Sequence, residues 1–154
     1  MKNGFTLIEL IVVIAIIAVL STVILFSVNI YINKGKDSNV SGSLAILVPA
    51  GEVYYNGFPN AYGGVVEGAT ETFCESSIVE NTISQMPVNL ESSCYSESNP
   101  AGVCCYVESQ YFQAWAACAL KFADTEKAYC VDSRGVRKEI PVGSCHASIT
   151  SCSF

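Results

Sequence analysis

The chain is poor in the residues that usually carry chemistry. Its 154 residues include one histidine, His146, one tryptophan, and 8 Lys+Arg against 14 Asp+Glu, giving a net charge of −6. That balance argues against a protein that coats nucleic acid, whose phosphates call for a basic surface. No GxSxG, HExxH or phosphate-cradling loop is present, and His146 has no recognisable acid partner, so no catalytic residue is assigned and no enzymatic activity is expected. There is no CxxC pair. The adjacent Cys104-Cys105 is poor geometry for two ligands of one tetrahedral zinc, and Cys145-His146 lacks the spacing of haem attachment, so neither metal nor cofactor is expected. Gly51 to Gln110 contains no Lys or Arg but 8 glutamates: Glu52, Glu67, Glu71, Glu75, Glu80, Glu91, Glu97 and Glu108. This run reads as a solvated face, or alternatively as a subunit contact or cation site.

What the chain does have is a long apolar run at its start. Phe5 to Val28 reads FTLIELIVVIAIIAVLSTVILFSV, with a single charge, Glu9. About 20 apolar helical residues cross a bilayer, and Lys2 ahead of the run predicts a cytoplasmic N-terminus. An ionised carboxylate in hydrocarbon costs several kcal/mol unless it finds a partner. On charge alone Glu9 also fits a residue snorkelling to the interface of an ordinary signal anchor. A secretory signal peptide fits poorly, because its apolar core is about 7–15 residues and ends at a small-residue cleavage site. Here the run continues to Leu20 and resumes after Ser21-Thr22, whose hydroxyls can bond back to the preceding turn.

Gly4-Phe5-Thr6-Leu7-Ile8-Glu9, after a short basic leader and before an apolar helix, resembles the N-terminal signature of type IV pilins and type II secretion pseudopilins. The resemblance implies cleavage after Gly4 by a prepilin peptidase, N-methylation of Phe5, and an assembly role for Glu9, which neutralises the new N-terminal amine of a neighbouring subunit. Physics supports that role. The amine freed before Phe5 lies about one turn from Glu9 on its own chain, so axially staggered helices can bring the amine of one to the carboxylate of the next. Pairing in a low-dielectric bundle offsets the desolvation either ion would suffer alone. Many pilins carry a helix breaker and a glycine where this chain has Phe26 and Ala18.

The expected fold is α+β: a long membrane-spanning spine helix packed on a small antiparallel sheet, with a disulfide-bonded head. The expected divisions are a leader (1–4), a transmembrane and polymerisation helix (5–32), the second half of the spine (33–56) and an extracytoplasmic head (57–154). Val40, Leu44, Leu47 or Val48, and Val53 approximate helical spacing. Gly35, Gly42, Gly51 and Pro49 weaken that helix, so a kink near Pro49 and an end at Asn56-Gly57 are expected. Asn56 to Gly68 reads as a loop, and Ser77-Ile78-Val79-Glu80 as a capping box opening a short helix to Met86. Val103–Glu108, Tyr111–Phe122, Ala128–Asp132 and Val136–Ile140 read as strands, with turns at Asp124-Thr125-Glu126 and Ser133-Arg134-Gly135.

All 8 cysteines follow the anchor: Cys74, Cys94, Cys104, Cys105, Cys118, Cys130, Cys145 and Cys152. An even count on the non-cytoplasmic side predicts structural disulfides. Folding the hairpin about Asp124 brings Cys118 opposite Cys130, the expected pair. Cys145 and Cys152 would close a C-terminal loop, much as a cysteine-bounded loop does in many pilins.

The implied function is a structural subunit of a type IV pilus. It is inserted in the cytoplasmic membrane, surrounded by lipid, then moved by an inner-membrane assembly machinery into an extracellular or periplasmic filament of identical or related subunits. Two alternatives stand beside it: a type II secretion pseudopilin, and a membrane-anchored binding domain that never polymerises. Lys121, Lys127, Arg134, Arg137 and Lys138 read as solvated hairpin charge, with a neighbouring subunit's acidic region or DNA as weaker readings.

Overall fold

A computed structural model describes residues 5–58, 60–66, 69–87 and 102–153. Met1 to Gly4, Glu67, Glu91, Cys94 and Glu97, all named above, lie outside the described residues.

Helix α1 (Leu7–Gly57) is 51 residues long, about 77 Å at 1.5 Å per residue. It ends at the Asn56-Gly57 signal and runs unbroken through Pro49, which stands on its exposed side. Only its second half is covered by the rest of the chain. Val40, Leu44 and Leu47 are buried, as the spacing predicts, but Val53 is 68% exposed. The buried stripe continues through Gly51 instead, because an aromatic ring takes the place a side chain would have filled. A Cβ at Gly51 would stand 2.7 Å from Trp115 Nε1.

The stretch expected as a loop after α1 contains a strand. β1 (Gly63–Val66) pairs antiparallel with β2 (Ala69–Thr72) as a separate two-stranded sheet. One of the glycines that signalled a loop, Gly63, is there for close approach: a Cβ on it would meet the Glu71 carbonyl and the Phe112 ring, both at 2.8 Å. A short 3₁₀ turn (Phe73–Glu75) follows, capped by Thr72, and leads into α2 (Ser77–Ser84). The N-cap of α2 is Ser76 rather than Ser77, with its Oγ accepting from Val79 N, and the helix ends before Met86. Only Ser77 has a glutamate three residues on; Ser76 caps without the reciprocal half of a box, because its third residue is Val79.

Four strands make the main sheet in the order β3 (Val103–Val107), β4 (Trp115–Leu120), β5 (Lys127–Asp132), β6 (Arg137–Pro141), all antiparallel. The strand expected from Tyr111 begins only at Trp115. The Glu108 carboxylate accepts from the amides of Gln110 and Tyr111, and Phe112 takes a left-handed φ of 54°, which keeps this segment looped. Both hairpin turns fall where expected. Gly135 has φ 77°, a conformation that glycine adopts without steric cost.

β4 is buried along its whole length, because both faces of the sheet are covered. On one face Trp115, Ala117, Ala119 and Val131 pack with Val40, Leu44 and Leu47 of α1 and with Phe73, Val79 and Ile83. On the other, Ala116, Leu120, Ala128 and Ile140 pack under the C-terminal segment through Cys145, Ile149 and Cys152. The layers are therefore helix, sheet and C-terminal segment.

Three disulfides lie among the described residues: Cys74–Cys105, Cys118–Cys145 and Cys130–Cys152. This corrects both expected pairings. Cys118 and Cys130 are indeed register partners on β4 and β5, with Cys104 beside Cys118 on β3. Their side chains rise from the sheet toward the C-terminal segment, where the Cα atoms of Cys145 and Cys152 lie 5.8 Å from those of their partners. The tail is thus bonded to the sheet rather than looped on itself. Loop closure over separations of 27 and 22 residues contributes about 3.5 kcal/mol per bridge in the chain-entropy account.

The Gly51–Trp115 contact makes a paired prediction. Gly51→Ala should lower stability by about 1–3 kcal/mol through overpacking. Gly42→Ala, whose Cβ would meet nothing within 4 Å, should be neutral or raise stability by up to about 1 kcal/mol. Denaturant unfolding of both variants in detergent, disulfides intact, reads the difference. Equal stability would mean that α1 does not seat on Trp115 as described.

Candidate functional site: the uncovered half of the spine helix

From Leu7 to Ile32 the helix is apolar around its circumference and touches little else. Leu7, Ile11, Ile14, Val19, Ile24 and Ile30 are all exposed, and the most apolar window of the helix has no residue buried by the head. It is long and apolar enough to cross a membrane. Its serine and threonine hydroxyls bond back to the helix. Ser21 Oγ donates to the Ile17 carbonyl (2.8 Å), Thr22 Oγ1 to Val19 (2.7 Å) and Ser27 Oγ to Val23 (3.1 Å). Each bond to the previous turn leaves an outward surface of carbon.

Glu9 sits in the first turn, exposed, and its carboxylate is held by its own chain. Oε2 accepts from Thr6 N (2.8 Å) and Thr6 Oγ1 (2.6 Å), while Glu9 N donates to Thr6 Oγ1 at 3.4 Å. This is a reciprocal capping box that satisfies two otherwise orphaned donors of the helix start. Sequence reasoning missed it, although Thr6-Leu7-Ile8-Glu9 carries the same signature used for Ser77–Glu80. Glu9 Oε1 has no partner among the described residues, so half the carboxylate is open to a cation. Phe5 is 78% exposed beside it, and Gly4 lies outside the described residues.

Where the helix meets the head, Asp37 ties the two together. Its carboxylate accepts from Phe122 N (2.5 Å) and Ala123 N (3.2 Å) at the β4–β5 connection, and Lys36 Nζ lies 4.9 Å from the Phe122 ring centroid. No local pattern marked Asp37, because its partners are 85 and 86 residues away.

The expected basic cluster is largely neutralised within the chain. Lys121 pairs with Glu139, Lys127 with Asp124 and Glu139, and Arg134 with Asp132. These pairs leave less positive charge for an outside partner than the sequence suggested. Asp132 is fully buried. Burial opposes its ionisation, but bonds from the Arg134 guanidinium and from the amides of Cys152, Arg134 and Val136 outweigh it and hold its pKa below the ordinary value. Arg134 Nη2 also reaches Ser151 and Ser153, both at 2.6 Å, so the pair grips the C-terminal segment beside the Cys130–Cys152 bridge.

Residues 1–25 match the family model described as the prokaryotic N-terminal methylation motif. The chain matches no curated protein and no solved structure. The matched segment is the prepilin signature of type IV pilins and pseudopilins, and it supports a pilin-like or pseudopilin precursor. Together with one long apolar N-terminal helix it fits a membrane-anchored precursor, and the motif implies processing by prepilin peptidase and assembly into filaments. The architecture is α+β and pilin-like: spine helix, small antiparallel sheets and a disulfide-bonded head.

Asp132 supplies a pH prediction. Its folded pKa is depressed, so its contribution to stability is full above the unfolded value of about 3.9 and is lost as pH falls through the lower folded value. Unfolding free energy should decline below about pH 4, and less steeply in Asp132→Asn. Parallel declines in the two proteins, followed by chemical denaturation from pH 2 to 6, would contradict the assignment.

Proposed function

We propose that the chain is a structural subunit of a type IV pilus, without enzymatic activity, which assembles by helix packing once its leader has been removed between Gly4 and Phe5. The observation that supports this most is the mismatch within α1. Its first half offers apolar surface on every side that the head does not cover, with one half-satisfied carboxylate at its start. In the membrane lipid covers that surface; in a filament other subunits do.

The assembly surface extends past the membrane span. Gly35, Asn39, Gly42, Ile46, Pro49 and Val53 recur at helical spacing on the side of α1 away from the sheet, and all are exposed. Gly35 and Gly42 have open space where a side chain would be, so a neighbouring helix can approach closely there. Cohesion comes from apolar burial among spines. Register comes from Glu9 exchanging its Thr6 bonds for the methylated Phe5 amine of an adjacent subunit. The prepilin peptidase, an inner-membrane assembly machinery and related subunits are the partners this requires. The same surface serves a secretion pseudopilus, and the genes beside this one distinguish the two settings.

Glu9→Ala should abolish filaments recovered by shearing, while the protein remains in the membrane fraction at wild-type level. Mass spectrometry of sheared wild-type material should show loss of Met1 to Gly4 and a methylated Phe5. Filaments formed equally well by Glu9→Ala, or a mature protein that keeps Met1, would refute the proposal.

A further inference from the structure

A cleft of about 740 Å³ opens between the β1–β2 hairpin and the outer edge of β3, away from the spine surfaces used for assembly. Its volume falls in the range of roughly 300–1,000 Å³ typical of small-molecule sites. One wall is Thr70 and Thr72 of β2 with Glu75 of the 3₁₀ turn; the other is Tyr106 of β3 with Ser109 and Phe112 of the following loop. The Cys74–Cys105 disulfide joins the two walls, so the cleft does not depend on a ligand to hold its sides together.

The loop forming the second wall is fixed in a costly conformation. Phe112 is one of two non-glycine residues at positive φ among the described residues. It is held there from both sides: its N–H donates to the Glu108 carbonyl (3.1 Å) and its carbonyl accepts from Tyr62 N (2.7 Å). Strain of this kind persists only where surrounding structure over-determines it, and it clusters at binding sites.

The lining has a definite chemistry. Two half-buried aromatic side chains, Tyr106 and Phe112, give apolar faces. The hydroxyls of Thr70, Ser109 and Tyr106 make no hydrogen bond among the described residues, and each can both donate and accept. Glu75 uses Oε2 for Thr72 and leaves Oε1 as an acceptor. Among the described residues no cation lines the cleft, and a carboxylate does, which disfavours an anionic ligand.

From this combination we infer that the cleft binds a neutral carbohydrate, with the C–H face of a sugar ring on Tyr106 or Phe112 and its hydroxyls on Thr70, Ser109 and Glu75. The inference is independent of filament assembly, since none of these residues belongs to the spine.

The test uses the full chain, solubilised in a zwitterionic detergent without a sugar headgroup and screened against an array of neutral and acidic glycans. At least one neutral glycan should bind. Ser109→Ala and Tyr106→Leu should each weaken it about tenfold, as expected for loss of one hydrogen bond or one stacking face, with unchanged melting temperature and unchanged filament yield. The idea is overturned if no neutral glycan binds, if only acidic glycans bind, or if both variants bind as tightly as the parent. A Tyr106→Leu protein that fails to fold leaves Ser109→Ala, an exposed loop substitution, to decide.

Discussion

Apolar surface has to be covered by something, and this chain contains far more of it along one helix than its own residues can cover. Every other feature is arranged around that shortfall. The second half of α1 is satisfied internally: Val40, Leu44 and Leu47 lie on the sheet, and Trp115 fills the notch at Gly51. The first half presents a cylinder of Leu, Ile and Val to whatever surrounds it. Such a helix is stable only in lipid or among other helices. Such a surface has two compatible environments, lipid and a bundle of other helices.

The sheet faces the same demand on a smaller scale. A four-stranded sheet buried on both sides needs two covers, and the spine supplies one. The other is a short C-terminal segment with few large apolar residues of its own, Ile149 chief among them. Two disulfides and the buried Asp132, paired with the exposed Arg134, make up for that thin cover by bonding the segment to β4 and β5 directly. Small domains that cannot build a sufficient core commonly rely on such cross-links.

Much of this was legible in advance. The spine, its end at Gly57, four strands and both hairpin turns follow from patterns whose period or turn chemistry is local. The errors share a cause. Val53 lost its place in the core to Gly51 because the filling group, Trp115, comes from another part of the chain. Gly63 looked like a loop residue because the sequence does not reveal what approaches it. The cysteine pairings were misassigned although the strand register was right, since register says which cysteines are neighbours but not which way a bond closes out of the sheet. Asp37 and Asp132 were overlooked as clamps for the same reason. A carboxylate that binds distant amides has no sequence period to betray it.

The disulfide arrangement also bears on how the molecule would carry tension. A pull applied along α1 reaches the head through Asp37, the Val40–Leu47 stripe and Trp115, all of which meet β4, β5 or the turn between them. Those two strands are the ones covalently fastened to the chain end by Cys118–Cys145 and Cys130–Cys152. Peeling the sheet from its C-terminal side would require breaking covalent bonds rather than a ladder of hydrogen bonds. Traction on the spine would therefore be met by the most strongly tethered part of the head.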